Sequence, residues 1–142
     1  MLRFLQTLIG AKPDSDSGNL GERLAAEWLQ RERQFRILAR NWRSPKDRRD
    51  ELDLICQDRD VLVFVEVKAR TVGALVPGYH AVDRRKKRAL RRAIRTYLVQ
   101  LREKPRTLRF DIVEVTLAAG GAAGSEILHF ENVALFSKYF RG

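Results

Sequence analysis

At 142 residues the chain is near the usual size of one domain and long enough to enclose a hydrophobic core, so a second domain is not expected. A composition of 44% hydrophobic and 32% charged residues excludes the disordered and fibrous classes. Its 28 Lys and Arg against 18 Asp and Glu give a net charge of +10, which favours a polyanion as partner. Nucleic acid comes first, because neutralised phosphates release condensed counterions, although acidic membranes and ribosomal neighbours attract the same surface.

The single cysteine, Cys56, excludes an internal disulfide and a cysteine-pair zinc site, and fits a reducing, cytoplasmic compartment. Residues 1–9 are apolar but too short to span a bilayer, so no integral membrane association is expected. Residues 1–17 read as a flexible N-terminus ahead of one domain over residues 18–142.

The first helix is predicted from Asp16 or Ser17 to about Arg33, with Leu20, Leu24, Ala25, Trp28 and Leu29 at helical spacing. At ~100° per residue these cover an arc of roughly 180°, and Glu22 falls at its border rather than facing bulk water. Phe35-Arg36-Ile37-Leu38 reads as a short edge strand, followed by a polar connection from Ser44-Pro45 to Arg49. Two strands follow, Glu51–Cys56 and Val61–Lys68, and the four polar residues between them suit an antiparallel hairpin.

A loop with Gly73, Pro77 and Gly78 leads to a long helix from about Val82 to Glu103. Val82, Ala89, Leu90, Ala93, Ile94, Tyr97, Leu98 and Leu101 share its apolar face, and arginines take the other. Lys86 is the exception, at ~40° from Val82 and inside the apolar arc, so it leans toward the core or a cleft. Leu108–Val115 is a further strand, Ala118–Gly124 a flexible Gly/Ala loop, and Ile127–Phe130 a last short strand.

Alternation along the second hairpin strand puts Glu66 and Lys68 on one face with Leu62 and Phe64. A carboxylate and an ammonium thus end an otherwise apolar strand, which calls for a salt bridge, a metal or a substrate. The hairpin brings Asp53 opposite Glu66, and two carboxylates beside a lysine suit Mg²⁺ or Mn²⁺ and a bound phosphodiester. An E-x-K triplet is common by chance. Its place on a buried strand, after an acidic strand and within a basic chain, gives it weight.

His80 and His129 are far apart and read as structural, as do Cys56 and Trp28. Trp42, beside Arg40 and Arg43, is open to two readings, core packing or stacking on a base. Arg109 and Asp111 share a strand face and are expected to form a local ion pair.

Gly21-Glu22, Arg40-Asn41, Glu51-Leu52-Asp53-Leu54-Ile55, Phe64-Val65-Glu66-Val67-Lys68-Ala69-Arg70, Ala81-Val82 with Lys86, and Arg109-Phe110-Asp111 occur in an order that resembles the bacterial YraN-like family, assigned to the restriction-endonuclease-like superfamily. The resemblance covers about residues 18–135. It implies an α/β fold with a restriction-endonuclease-like core, a mixed central sheet flanked by helices in the order α-β-β-β-α-β-β. It further implies that Asp53, Glu66 and Lys68 match the D…E-x-K site, with Glu22 an acidic helix residue beside the metal. Two departures affect only loops: Asp50 stands where Gly is usual, and Leu75-Val76 where an aromatic-Gly pair is common.

The reading that joins these points is a nucleic-acid-binding, Mg²⁺- or Mn²⁺-dependent endonuclease acting on DNA in preference to RNA. Asp53, Glu66 and Glu22 are its metal residues and, with Lys68, its catalytic set; Arg40, Arg43, Arg70, Lys86, Arg88 and Arg91 contact nucleic acid. Two rivals are a non-catalytic nucleic-acid-binding module with the same fold, and a basic adaptor for protein or membrane surfaces. A homodimer stays open, since no interface signal stands out.

Overall fold

The structure is a computed structural model that describes residues 16–72, 84–119 and 121–135. Its elements are α1 (Asp16–Arg33), β1 (Arg36–Arg43), β2 (Glu51–Asp58), β3 (Val61–Thr71), α2 (Arg84–Gln100), β4 (Thr107–Ala118) and β5 (Gly121–Phe130). The strands form one mixed sheet in the order β1-β2-β3-β4-β5. Only β3 and β4 run parallel; the other three pairings are antiparallel. Because a parallel pair needs a crossover, the connection from β3 to β4 carries α2 across the sheet. The mixed α/β architecture and the α-β-β-β-α-β-β order are those expected from the sequence.

Each sheet face is buried under a helix, and the two cores differ in residue type. Under α2 lie Leu38, Trp42, Leu52, Leu62, Phe64, Phe110 and Ile112, packed with Leu90, Ile94, Tyr97 and Leu98 of the helix. Under α1 lie Leu54, Cys56, Val63, Val65, Val113 and Val115, packed with Ala25, Ala26 and Leu29. Small residues on α1 let it approach closely. A Cβ built on Gly21 would stand 2.5 Å from the Ala69 Cβ of β3. The side chains of Val63, Phe64, Ile55 and Val113 are fully enclosed, which is why β2 to β4 read as nearly continuous apolar runs.

Four details depart from the sequence reading or resolve it. β1 extends to Arg43, because Trp42 and Arg43 pair with Leu52 and Glu51 of β2. Trp42 is buried edge-on against Tyr97, with ring centroids 5.5 Å apart, which settles it as a core residue and removes it as a base-stacking platform. The expected Gly/Ala loop is largely strand among the described residues. β4 runs to Ala118 and β5 starts at Gly121, because the backbone ladder with β4, including Ala118↔Gly121, supplies an order that such small side chains do not announce. Last, α2 closes at Gln100 rather than Glu103, with the Leu101 N–H turning to the Leu98 carbonyl at 3.2 Å.

Of the expected flexible N-terminus, residues 1–17, the last two begin α1 and the rest lie outside the described residues, as do the loop around Gly73–Gly78, His80 and the start of the second helix at Val82. Among the described residues, no helix is long and apolar enough to cross a membrane.

Candidate functional site

Where β2 and β3 diverge, three elements bring charged groups together. The β2–β3 ladder ends at Leu54↔Val65, and one step further the register aligns Asp53 with Glu66. In place of a main-chain partner, the Val67 N–H donates to Asp53 Oδ2 at 2.8 Å. The alternation of β2 also breaks here, since Leu52 and Leu54, two residues apart, pack into opposite layers. Asn41 of β1 lies between the pairs Arg40↔Leu54 and Trp42↔Leu52, next to Asp53, and adopts φ 49°. Asn tolerates this left-handed conformation better than most residues, so the local bend around Asp53 has a sequence basis in Arg40-Asn41.

Glu66 follows Phe64 on the α2 face of β3 and is buried, at 4% exposure. Its Oε1 meets two ammonium groups: Lys68 Nζ at 3.4 Å from the same strand, and Lys86 Nζ at 3.3 Å from α2. Its Oε2 is buried with no hydrogen-bond partner among the described residues. A carboxylate oxygen left without a partner in a protein interior is costly and calls for an explanation, of which a bound ion is one.

Burial first, and the Glu66 charge second, push the Asp53 carboxyl well above its ordinary value; the Val67 N–H works in the other direction, and the Glu22 charge adds to the rise. Glu22 is therefore within electrostatic reach of Asp53, as its place at the border of the α1 apolar arc anticipated. Burial acts to lower the Lys86 pKa, but Glu66, Asp53 and Glu51 outweigh it and hold the ammonium charged.

Among the described residues, no group of three or more His, Cys, Asp or Glu side chains is arranged as a ready-made metal cage. Two carboxylates with one unpartnered oxygen still fit Mg²⁺, which keeps several waters and takes only one or two protein carboxylates, better than Zn²⁺, whose sites are mostly built with cysteine or histidine ligands. The donor set therefore fits a hard divalent ion held partly by water.

Beside this cluster stands a pair the sequence reading did not combine. Glu114 of β4 is buried and pairs with Arg70 of β3, Nε to Oε1 at 2.9 Å, at an angle that leaves Arg70 Nε without a formal hydrogen bond. The parallel register Lys68↔Glu114 is what brings it there, and a single strand's pattern does not reveal that pairing.

The other expected nucleic-acid contacts divide. Arg40 and Arg88 are exposed. Arg43 is held by the Arg48 carbonyl at 3.1 Å and by Glu51 at 3.0 Å, and Arg91 donates to the Leu135 carbonyl at 2.9 Å. These bonds give Arg43 and Arg91 structural work in addition to any ligand contact. Arg109 and Asp111 form the expected ion pair at 3.0 Å, within a larger buried network to His129 at 2.8 Å, Asp58 at 3.0 Å and the Asn132 N–H at 2.9 Å. His129 is wedged between the edges of Trp28 and Phe35, each ring centroid 5.7 Å away, so its role is structural.

The fold and the cluster define a class: a mixed α/β protein with, among the described residues, two helices on a five-stranded sheet and a carboxylate–lysine group where β2, β3 and α2 meet. The model of Uncharacterised protein family UPF0102 matches residues 21–115. Proteins named UPF0102 protein are similar to the chain: one from Anaeromyxobacter dehalogenans is 44% identical over 78% of the chain and 83% of its own length. Another, from Beutenbergia cavernae, is 40% identical over 78% of the chain and 91% of its own length. A third, from Mycolicibacterium vanbaalenii, is 37% identical over 89% of the chain and all of its own length. The chain belongs to the UPF0102 family, the YraN-like family that its motifs resemble.

Proposed function

We propose that the protein is a cytoplasmic, metal-dependent endonuclease that hydrolyses phosphodiester bonds in nucleic acid, DNA foremost. The observation that carries the proposal is the buried Glu66 Oε2, which has no hydrogen-bond partner among the described residues, on a carboxylate that stands in register with Asp53 and meets Lys68 and Lys86 through its other oxygen. A stability-driven design would leave neither the orphan oxygen nor two adjacent buried carboxylates.

Asp53 and Glu66 would hold Mg²⁺ or Mn²⁺, with Glu22 adding negative charge through water. When bound, the ion supplies Lewis acidity toward a phosphate oxygen and a lowered pKa for water. Lys68 orients the attacking water and offsets charge building on the phosphate. Arg40 and Arg88, exposed on β1 and α2, are placed to follow a phosphate backbone, in keeping with the net charge of +10.

A second reading, a non-catalytic nucleic-acid-binding module, draws on the same two lysines, since they already compensate Glu66. Cleavage of labelled linear, single-stranded and branched DNA with Mn²⁺, by wild type and Asp53→Ala/Glu66→Ala protein, separates the two. The proposal expects cutting that vanishes in the double variant while binding persists. Binding without cutting in wild type would leave only the module.

A further inference from the structure

Glu66 is compensated unevenly. Its Oε1 is shared by Lys68 and Lys86, while its Oε2 has no partner among the described residues. When ionised, Asp53 and Glu66 carry two negative charges, and the two ammonium groups balance them. A divalent ion would thus meet carboxylates that already have two ammonium counter-charges, and each ammonium left in place would repel it.

The two lysines are not equivalent. Lys68 lies two residues along the same strand face as Glu66, so the backbone of β3 keeps it beside the carboxylate. Lys86 reaches over from a different element, α2, and keeps 34% of its side chain exposed. Its flexible four-carbon stem has a solvated alternative that needs no rearrangement of the sheet.

We propose that Lys86 is the resident counter-cation of the acidic site, occupying Glu66 Oε1 in the metal-free protein and competing with a divalent ion for the carboxylates. This rests on the metal-dependent reading above. Its consequence is that Lys86 weakens metal binding, although it stands among the site's cations, and so raises the threshold for loading the site.

Calorimetric titration of Mn²⁺ tests it on four full-length proteins: wild type, Lys86→Gln, Lys86→Arg and Lys87→Gln. The last removes the same charge from the neighbouring helix position. The expected result is about tenfold tighter Mn²⁺ binding in Lys86→Gln, with Lys86→Arg and Lys87→Gln close to wild type. Lys86→Met, which keeps the stem, replaces the glutamine variant if that variant does not fold. Wild type that binds Mn²⁺ no more weakly than Lys86→Gln overturns the counter-cation role and leaves the metal site standing. Absence of Mn²⁺ binding in every protein overturns the metal site and the counter-cation role together.

Discussion

Replacement of Gly21 by alanine probes how α1 is seated on the sheet beside the site. The new methyl would lie 2.5 Å from the Ala69 Cβ, where ordinary contact needs 3.4–4 Å, so α1 must move away from β3 by about 1 Å. Overpacking of this kind costs about 2–3 kcal/mol. Alanine recovers about 1 kcal/mol of helix propensity, leaving a net loss of about 1–2 kcal/mol. Ala69→Gly alone should cost about 0.5–1 kcal/mol, because glycine weakens a strand. In the double variant the clash is gone, and a coupling of about 2 kcal/mol should appear in urea unfolding monitored by tryptophan fluorescence. Since Glu22 follows Gly21 directly and acts on Asp53, the single variant should also bind Mn²⁺ more weakly, with recovery in the double variant. Effects of the two substitutions that add to within about 0.5 kcal/mol would refute the contact as the determinant of helix seating.

Asp53→Asn keeps an oxygen for the Val67 N–H but removes the buried charge. Because burial and then Glu66 raise the Asp53 pKa, its folded form retains a proton that the unfolded chain releases; its favourable contribution is full below about pH 4 and is lost as pH rises through the folded pKa. The variant should therefore melt higher than wild type at pH 8, converge with it toward pH 4, and neither take up Mn²⁺ nor cleave DNA; a lower melting temperature at pH 8 would contradict the assignment. Asp111→Ala should destabilise by about 3–5 kcal/mol in urea, since it strands Arg109 and His129 without their shared carboxylate. Trp42→Ala should cost about 3–5 kcal/mol through the cavity beside Tyr97. Loss of DNA affinity in folded Trp42→Ala protein, at unchanged stability, would restore the stacking role. Arg88→Glu should weaken DNA binding and lower the salt-dependence slope by about 1, measured by fluorescence anisotropy across a salt series.

Much of this protein is legible in the chain. The helical spacing of Leu20, Leu24 and Leu29, the valine runs of β3 and β4 and the polar stretch at the hairpin, which the structure narrows to a two-residue turn at Arg59-Asp60, specify elements through local rules, and those rules depend only on neighbours in sequence. The same periodicity places Glu66 and Lys68 on one face and singles out Glu22 and Lys86 as polar residues at the edge of apolar arcs. What it does not contain is pairing at a distance. Ordering of Gly121–Gly124 comes from the β4 backbone, and the burial of Trp42 comes from Tyr97 of α2 packing over it. Glu114 joins the charged cluster only because β3 and β4 lie parallel in a register that sets it beside Lys68, and Lys86 and Lys68 share one oxygen only because α2 crosses the sheet there. Residue type and spacing marked out the charged groups of the candidate site, whereas their convergence on Glu66 was decided by the tertiary fold, since hydrogen-bonded register and helix packing bring together residues that no local period relates.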